Sequence, residues 1–492
     1  MLKNYPKEVR DRIEKIEKLR DMGHNPYPDK VERSHKIQEF VIQTDFDKID
    51  NEAVVNKPAS DVSLVGRIMF FRDFGKLAFA KIQDDTAAVQ ICFKKDVLGE
   101  QSYKLAVKLY DLGDFVAVKG QGFTTNKGEH SLMVAEHMIA CKAIKPLPEK
   151  FHGMADEELI LRKKYLDCIT SQDSFMRIKK RINMIKTLRR FLEDNDFLEI
   201  ETPVLCPTAS GALAKPFTTH HQALDHEFYL KIAPETSLKK AVCAGFDRVY
   251  EFSKCFRNEG IDPTHLQEFT MLEFYASYWN YEDGMKFQED MISNLLEEIN
   301  GGLKVQYQGV ELDFTAPYKR VSLRELILKD ADIDIDLYDT NKDLAAAIHE
   351  KGIKIEDIDK LGRGNLIDQL YKKVSRPKII QPIFLTGHPL DLSPLSRTSD
   401  TNPKMVDRFQ LVAHGAELSN NFSELIDPVD QMQRFMQQAQ ARQEGDQEAL
   451  MFDYSFLEAM QQGFPPMCGF GIGIDRLIAF LLDLENIKDT LL

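Results

Sequence analysis

The strongest constraint in this 492-residue sequence is the segment FRNEGIDPTHLQEFTMLEFY, from Phe256 to Tyr275, which predicts a hairpin with charged groups on one face. Arg257 and Glu259 are two residues apart, and Glu273 and Tyr275 alternate with apolar residues on the returning strand. Because side chains two apart point to the same side of a strand, each pair should share a face. A guanidinium among carboxylates suits a ligand with both anionic and ammonium groups, such as an amino acid beside a nucleotide phosphate. Taken alone, an R-x-E pair favours a solvated, salt-bridged surface hairpin, since most charged strand faces are simply solvated.

A second element, GFGIGIDRLIAFLL from Gly469 to Leu482, predicts a strand followed by a buried helix. Three glycines at every second position remove side chains from one face of that strand, so that a flat or bulky ligand can lie against the backbone. Arg476 falls in the first turn of the helix. The spacing does not match G-x-G-x-x-G, and there is no G-x-x-x-x-G-K-[ST] loop, so the nucleotide site is of another kind.

The third element, RRFLEDNDFLEIETPVL from Arg189 to Leu205, predicts a helix that ends near Asn195 and a strand that closes on Pro203. With these three elements in this order, the chain resembles the class II aminoacyl-tRNA synthetases. Their motifs are a helix–strand–Pro dimer element, an F-R-x-E hairpin and a G-x-G-x-G-x-[DE]-R strand–helix unit. The segments around these motifs are similar to those of lysyl-tRNA synthetases over nearly the whole chain. They are HNPYP (24–28), LPEKFHGMADEELILRKKYLDCI (147–169), GALAKPFTTHHQALD (211–225), IAPETSLKK (232–240) and NNFSELIDPVDQMQRF (420–435).

Composition limits the class of protein. With 43% apolar residues the chain can bury large cores, and its length predicts two or three domains. No window approaches twenty consecutive apolar residues, and the first twenty residues are too charged for a signal peptide, so we expect a cytoplasmic protein without membrane contact. The seven cysteines show neither a C-x-x-C pair nor zinc-site spacing, which argues against a disulfide framework or a structural metal. A net charge of −14 argues against a uniformly nucleic-acid-binding surface but permits a local basic path.

The expected fold class is α+β. Residues 1–60 predict an N-terminal helical extension, and alternating segments in 61–145 predict five short strands with one helix between the third and fourth, which matches an OB-fold β-barrel. A Pro-rich joint, KPLPEK, begins a linker over 146–170. The resemblance implies that 171–492 is a class II catalytic domain, an antiparallel sheet flanked by helices, with a helical insertion at about 319–378.

In the family that this chain resembles, the barrel holds the anticodon of the tRNA. The resemblance implies that Phe79 stacks on the central anticodon base and that Gln90 and Glu129 read base edges. On composition alone, Phe79 is better explained as a core phenylalanine, because apolar strand residues usually face inward. The joint spacing of Phe79, Gln90 and Glu129 favours the binding role.

The resemblance also implies a two-step reaction, in which lysine and ATP form lysyl-adenylate and the lysyl group then passes to tRNA(Lys). Such chemistry depends on positioning and charge stabilisation and needs no nucleophilic side chain. Arg257 and Arg476 are the expected catalytic residues. The expected ATP site contains Arg257, Glu259, His265, Phe269, Gly471, Gly473 and Arg476. The expected lysine site contains Glu235, Arg257, Glu273, Tyr275, Asn420, Phe422 and Glu424.

Within the lysine site, Glu235 is expected to take the α-ammonium and Glu424 the ε-ammonium. A buried carboxylate left unpaired would penalise a neutral or acidic substrate. The family usually binds Mg²⁺, with ATP, between two carboxylates seven residues apart, and here those positions are Gln410 and Glu417. Because hard cations favour anionic oxygen, the substitution of Gln predicts weaker metal binding. The first motif implies a homodimer.

Three alternatives remain open at this point. An aspartyl- or asparaginyl-tRNA synthetase shares the barrel and the three motifs, although Glu235, Glu424 and Tyr275 favour a dicationic amino acid. A ligase that attaches lysine to a protein would lack the barrel. A paralog that binds tRNA or lysine without charging tRNA is supported by Gln410 and by the absence of the family's usual C-terminal tail.

Overall fold

A computed structural model describes residues 5–148, 157–260, 262–443 and 450–492 of the chain. The chain divides into two compact units, residues 1–160 and 161–492. The division falls within the segment expected to be a linker, of which residues 149–156 lie outside the described residues.

The first unit begins with three α-helices in the segment expected to be a helical extension. α1 buries Val9, Ile16 and Leu19, which recur at the spacing of one helix face. The last of the three begins where the Asp50 carboxylate accepts a hydrogen bond from Ala53 N at 3.1 Å, which satisfies a free backbone donor. The helices are α1 Lys7–Asp21, α2 Ile37–Gln43 and α3 Asn51–Asn56.

A closed five-stranded barrel follows, which confirms the predicted OB-fold. Its strands pair in the order β1-β2-β3-β5-β4, and α4 connects the third strand to the fourth. Small and branched side chains at alternate positions of β2, such as Ala80 and Ile82, fill the interior because strand side chains alternate between the two faces. The elements are β1 Val62–Asp73, β2 Leu77–Gln83, β3 Ala88–Lys94, α4 Lys95–Leu109, β4 Phe115–Thr124 and β5 His130–Cys141.

The second unit is built on an eight-stranded sheet with the order β14-β15-β16-β17-β18-β11-β10-β6. The six central strands are antiparallel, as predicted, whereas the outermost pair at each edge is parallel. The strands are β6 Leu198–Glu199, β7 Leu205–Cys206, β8 Thr218–His221, β9 His226–Leu230, β10 Arg248–Phe256, β11 Glu268–Ser277, β12 Lys304–Tyr307, β13 Val310–Asp313, β14 Lys319–Ser322, β15 Ile383–Pro389, β16 Met405–Ala413, β17 Ala416–Ser423 and β18 Met467–Gly473.

Helices cover both faces of this sheet. One face packs against α7, α9 and α15, where Phe274 of β11 and Phe470 of β18 stack with ring centroids 4.1 Å apart. The other face carries α8 and α14. The helices are α5 Glu157–Arg162, α6 Lys164–Thr170, α7 Gln172–Asp194, α8 Glu235–Cys243, α9 Tyr281–Asn300, α10 Leu323–Ala331, α11 Asn341–Glu350, α12 Arg363–Val374, α13 Pro428–Gln443, α14 Tyr454–Gln461 and α15 Ile474–Leu481.

The expected insertion corresponds to α10, α11 and α12, which lie between the paired strands β14 and β15. These helices share a hydrophobic cluster of their own, with Ile327, Ile348 and Leu370 fully buried. The cluster also contacts Leu385 and Val412 of the sheet. The insertion therefore packs against the sheet near its β14–β15 edge. None of its three helices contributes a residue to the lining of the cavity described next.

Candidate active site

A cavity of about 380 Å³ lies over β11, β17 and β18 of the second unit. Along β11 the odd-numbered residues Met271, Glu273 and Tyr275 line it, whereas Leu272 and Phe274 enter the core on the opposite face. The predicted alternation of the returning strand is therefore present. Most of the predicted catalytic-domain residues line this one cavity. They are Glu235, Arg257, Glu259, His265, Phe269, Glu273, Tyr275, Glu417, Asn420, Phe422, Gly471, Gly473 and Arg476.

The outgoing strand of the hairpin differs from the prediction in one respect. β10 ends at Phe256, so Arg257 and Glu259 lie just beyond the strand. Arg257 N still donates to Gln267 O at 2.9 Å, which continues the hairpin for one more pair. The Arg257 guanidinium carbon lies 5.1 Å from the centroid of the Phe269 ring, and its Nε is buried without a hydrogen-bond partner among the described residues. Arg257 therefore has bonding capacity left for an anionic ligand.

The first turn of α15 carries Arg476, as predicted, and Arg476 lines the cavity. Its Nη2 lies 2.9 Å from His265 Nε2, and the other ring nitrogen of His265 lies 2.7 Å from Asp262 Oδ2. Since a guanidinium only donates, the contact with Arg476 needs Nε2 as the acceptor, which leaves Nδ1 to face the Asp262 carboxylate. Burial lowers the pKa of Arg476 below its ordinary value.

The glycines of β18 have two different reasons for lacking a side chain. A Cβ at Gly469 would overlap Glu424 and Tyr275, so close internal packing excludes a side chain there. A Cβ at Gly471 would meet only Asn420 O, at 3.5 Å, and one at Gly473 only Arg476 Cβ, at 3.8 Å. Larger side chains at these two positions would fill the cavity itself, so Gly471 and Gly473 keep it open.

The deepest part of the cavity is acidic. Glu235, Glu273 and Glu424 are 6%, 4% and 2% exposed, and Tyr275 donates its hydroxyl to Glu273 Oε2 at 3.0 Å. Glu424 lies behind Gly469 and is not part of the lining itself. Its Oε1 accepts no hydrogen bond from any described residue.

One ammonium group lies among these three carboxylates. Lys239 of α8 is 1% exposed, and its Nζ lies 2.5 Å from Glu235 Oε1 and forms an ion pair with Glu424 Oε2. The rings of Tyr275 and Phe422 surround it, with centroids at 5.7 and 5.5 Å. Three carboxylates therefore share one buried cation.

The burial of three carboxylates with one ammonium group shifts the pKa values of these side chains. Burial raises the pKa of Glu235, and burial together with the charge of Glu235 raises the pKa of Glu273 well above its ordinary value. Burial likewise raises the pKa of Glu424 well above its ordinary value. Burial alone would lower the pKa of Lys239, but the two carboxylates outweigh it and raise that pKa. A second cation would relieve the remaining negative charge.

The sequence did not point to Lys239 or Arg408. Glu235 and Lys239 are spaced as an ordinary exposed helix pair, and nothing in the sequence marks their burial. Arg408 donates to Asn420 Oδ1 at 2.6 Å and to Ser393 Oγ at 2.9 Å, and so fixes the Asn420 amide against the cavity. Alternation along β16 would have placed Arg408 on the same face as Gln410.

The two residues expected at the magnesium position are in different surroundings. Glu417 lines the cavity, whereas Gln410 is 7% exposed and is not among the lining residues. Within the described ranges, no group of three or more His, Cys, Asp or Glu side chains is arranged to hold a metal ion. Of this pair, only Glu417 lines the cavity, where its carboxylate could take part in holding a cation.

The three residues predicted to bind the anticodon lie in the first unit, on the outside of the barrel. Phe79 is half-buried and packs against Cys92 and Met133. Gln90 Nε2 donates to Ser131 Oγ at 3.0 Å, and that hydroxyl donates to the Glu129 carbonyl oxygen at 3.2 Å. Register aligns Phe79 with Cys92 and Gln90 with Ser131, so these side chains share one face of the sheet.

In the described part of the chain, all seven cysteines carry free thiols. None of the helices described has both the length and the apolar composition needed to cross a membrane.

Comparison with known proteins gives two family matches. Residues 156–492 match the family described as tRNA synthetases class II (D, K and N), and residues 62–140 match the OB-fold nucleic acid binding domain. The chain is 41% identical over 480 residues to the lysine–tRNA ligase of Fervidobacterium nodosum, which covers 98% of this chain and 92% of that protein. It is 40% identical over 491 residues to that of Thermotoga maritima, covering 100% of this chain and 95% of the relative. The enzyme of Clostridium perfringens is 39% identical over 483 residues, covering 98% and 94%.

Proposed function

The chain belongs to the family of class II tRNA synthetases (D, K and N), and we propose that it attaches L-lysine to tRNA(Lys) in an ATP-dependent reaction. Lysine would first attack ATP to give lysyl-adenylate and pyrophosphate, and the ribose hydroxyl of the tRNA would then take the lysyl group. Relatives named lysine–tRNA ligase that match along nearly the entire chain support this assignment over the aspartyl and asparaginyl alternatives.

The charge of the pocket is the observation that carries the lysine assignment. Glu235, Glu273 and Glu424 contribute three carboxylates, and Lys239, which pairs with Glu235 and Glu424, contributes one ammonium, so the carboxylates exceed the ammonium by two charges. Lysine brings two ammonium groups, and its carboxylate can pair with Arg257 at the edge of the pocket. An acidic substrate would add negative charge to buried carboxylates, which is strongly unfavourable in a low-dielectric site.

The ATP end of the cavity is proposed to lie between Arg257 and Arg476. Arg257 would bind the α-phosphate and Arg476 the γ-phosphate, with Phe269 stacked on adenine and the backbone of Gly471 and Gly473 against the nucleoside. Both guanidiniums would stabilise the charge that develops during phosphoryl displacement. Glu259 and His265 would complete this site, and His265 would be released from Arg476 when phosphate takes its place.

Magnesium would accompany ATP and supply charge neutralisation at the phosphates. Mg²⁺ is commonly bound through one or two carboxylates and the substrate's own phosphates, and Glu417 is the carboxylate that faces this part of the cavity. Gln410 is not proposed as a ligand.

The tRNA is proposed to bind through the barrel, with Phe79 stacked on an anticodon base and Gln90 and Glu129 at base edges.

A cytoplasmic homodimer is also proposed. Apolar side chains are exposed around the first motif, including Ile182 at 47% and Leu198 at 53%, and a partner subunit would cover them. Sedimentation that finds only monomer at micromolar concentration would contradict the dimer.

Lysine-dependent exchange between ATP and pyrophosphate tests the proposed function. We expect exchange with lysine and none with aspartate or asparagine. Glu424→Gln should raise the KM for lysine at least about thirtyfold, because it removes one partner of a buried charge pair, and it should leave the KM for ATP unchanged. Glu458→Gln, an exposed change in α14, is the control. No exchange with any amino acid would contradict the synthetase assignment, and exchange with aspartate would contradict the lysine assignment.

A further inference from the structure

Lys239 occupies an unusual place in the proposed lysine pocket. A buried lysine is rare unless it is paired, and here its Nζ is paired with two carboxylates that belong to different elements, Glu235 at the start of α8 and Glu424 after β17. The ammonium group therefore joins one helix to one strand across the floor of the cavity. Glu424 keeps hydrogen-bonding capacity for a ligand, because its Oε1 has no hydrogen-bond donor among the described residues.

The surroundings of Lys239 contain few other charges. α8 contributes Glu235, β11 contributes Glu273 and Tyr275, and α14 contributes the Phe456 ring at 5.7 Å. β17 contributes the Phe422 ring and leads into Glu424, and the thiol of Cys468 in β18 is also buried beside this cluster. Among the described residues, Lys239 is the cation ion-paired with Glu235 and Glu424, whereas the charge of Arg257, which lines the same cavity, acts on Glu273.

We propose that Lys239 is a positioning and specificity-determining residue of the amino-acid pocket. Its ammonium fixes Glu235 and Glu424 and leaves the equivalent of two uncompensated carboxylates, which is the number of ammonium groups that lysine brings. It thereby selects a substrate with two ammonium groups over one with a single ammonium group. This inference rests on the proposed function, since it takes lysine as the ligand of the pocket.

Removing this charge has a specific consequence. In Lys239→Met three carboxylates share a pocket without a cation, and like charges in a low-dielectric site cannot all ionise. One of them then keeps a proton at neutral pH, and lysine must displace that proton in order to bind. Binding that releases a proton becomes tighter as pH rises.

The experiment compares lysine-dependent exchange of wild type, Lys239→Met and Lys239→Arg between about pH 6.5 and 8.5, a range in which the lysine ε-ammonium stays charged. The raised pKa values of Glu273 and Glu424 also link lysine binding to proton release in wild type, where we expect a shallow profile in which the KM for lysine falls by about twofold per pH unit. For Lys239→Met we expect a KM that is at least about thirtyfold higher at neutral pH and falls by about tenfold per pH unit. Lys239→Arg keeps the charge and should restore the shallow profile. Lys240→Met is the matched control, because the neighbouring Lys240 is partly exposed and donates to Ser455 Oγ at 2.5 Å.

A purely structural role would lower the melting temperature or kcat of Lys239→Met and leave the pH profile of its KM as in wild type, and that outcome would overturn the inference. If Lys239→Met does not fold, the double variant Lys239→Met with Glu424→Gln removes the pair together and should fold. Its profile should be shallow with a raised KM, and a steep profile or a wild-type KM there would also overturn the inference. Absence of exchange in wild type would instead contradict the proposed function.

Discussion

Arg181 and Asp475 form a buried ion pair, Nη1 to Oδ1 at 2.5 Å, between the helix that precedes the catalytic sheet and the first turn of α15. The same aspartate accepts a hydrogen bond from Thr270 N at 2.6 Å, and Arg181 also donates to the Thr270 hydroxyl at 3.2 Å. These residues therefore connect the three elements that carry the sequence motifs, which are α7, β11 and α15. Asp475 also precedes Arg476, so the pair helps to aim that guanidinium into the cavity.

Arg181→Met should destabilise the second unit by about 3 kcal/mol, because it leaves the Asp475 charge buried without a partner. Urea unfolding followed by the fluorescence of Trp279, the single tryptophan, reports on this unit alone. The control is Arg190→Met, which removes an exposed pair with Glu298 at 2.8 Å and should cost less than about 1 kcal/mol. Equal effects of the two changes would contradict the importance of this junction.

His388 should make the stability of the second unit depend on pH. Burial, aided by the positive charge of Arg408, lowers its pKa from the ordinary 6.5 to about 3. Between those values the unfolded chain binds a proton that the folded chain does not, so stability falls as pH falls below about 6.5, by about 1.4 kcal/mol per pH unit. Above that range His388 is neutral in both states and contributes no slope.

The measurement for His388 is the urea midpoint of Trp279 fluorescence at several values between about pH 4.5 and 6.5, a window set by this titration. His388→Asn should flatten the dependence relative to wild type, because asparagine does not titrate. His349→Asn, at an exposed histidine of α11, should leave it unchanged. Parallel curves for wild type and His388→Asn would show that the folded state accepts the proton.

The Mg²⁺ concentration that the exchange reaction needs should change on substitution of Glu417 and not on substitution of Gln410. Glu417→Gln removes a carboxylate that lines the cavity beside Arg476 and should raise the Mg²⁺ concentration for half-maximal exchange by about tenfold, the lower end of effects seen for residues around metal sites. Gln410→Met, matched in size, should leave that concentration unchanged. A larger effect of the Gln410 change would restore the two-sided metal site that the sequence predicted. Thermal melts of both variants separate metal effects from loss of stability.

Phe79→Ala should weaken binding of an anticodon stem-loop of tRNA(Lys) by about tenfold, which corresponds to the loss of one stacked base. Lysine-dependent exchange without tRNA should not change, because Phe79 lies in the other unit. Fluorescence anisotropy of a labelled stem-loop measures the first quantity. Met138→Ala, at a position 41% exposed on β5, is the control. Unchanged affinity in Phe79→Ala would favour the core interpretation of this phenylalanine.

Local sequence pattern predicted most of the fold. Five alternating segments in the first unit became the closed barrel, and the alternation of Glu273 and Tyr275 placed both on the cavity side of β11. Gly471 and Gly473 of β18 likewise keep the strand face open as predicted, whereas close packing against Glu424 and Tyr275 accounts for Gly469. These predictions succeeded because strand alternation and turn residues are local properties that need no knowledge of distant contacts.

The sequence by itself determined which residues could carry the chemistry: arginines for phosphate, carboxylates for ammonium and an exposed barrel face for bases. Only the tertiary structure decided how the charges balance. Three features illustrate this: the burial of Lys239 between Glu235 and Glu424, the ion pair of Arg181 with Asp475, and the position of Gln410 outside the cavity that Glu417 lines. Each of them either joins residues that are far apart in the chain or depends on what covers a residue. The physical reason is that the energy of a charge depends on its burial and on its neighbours in space, and neither is a property of local sequence.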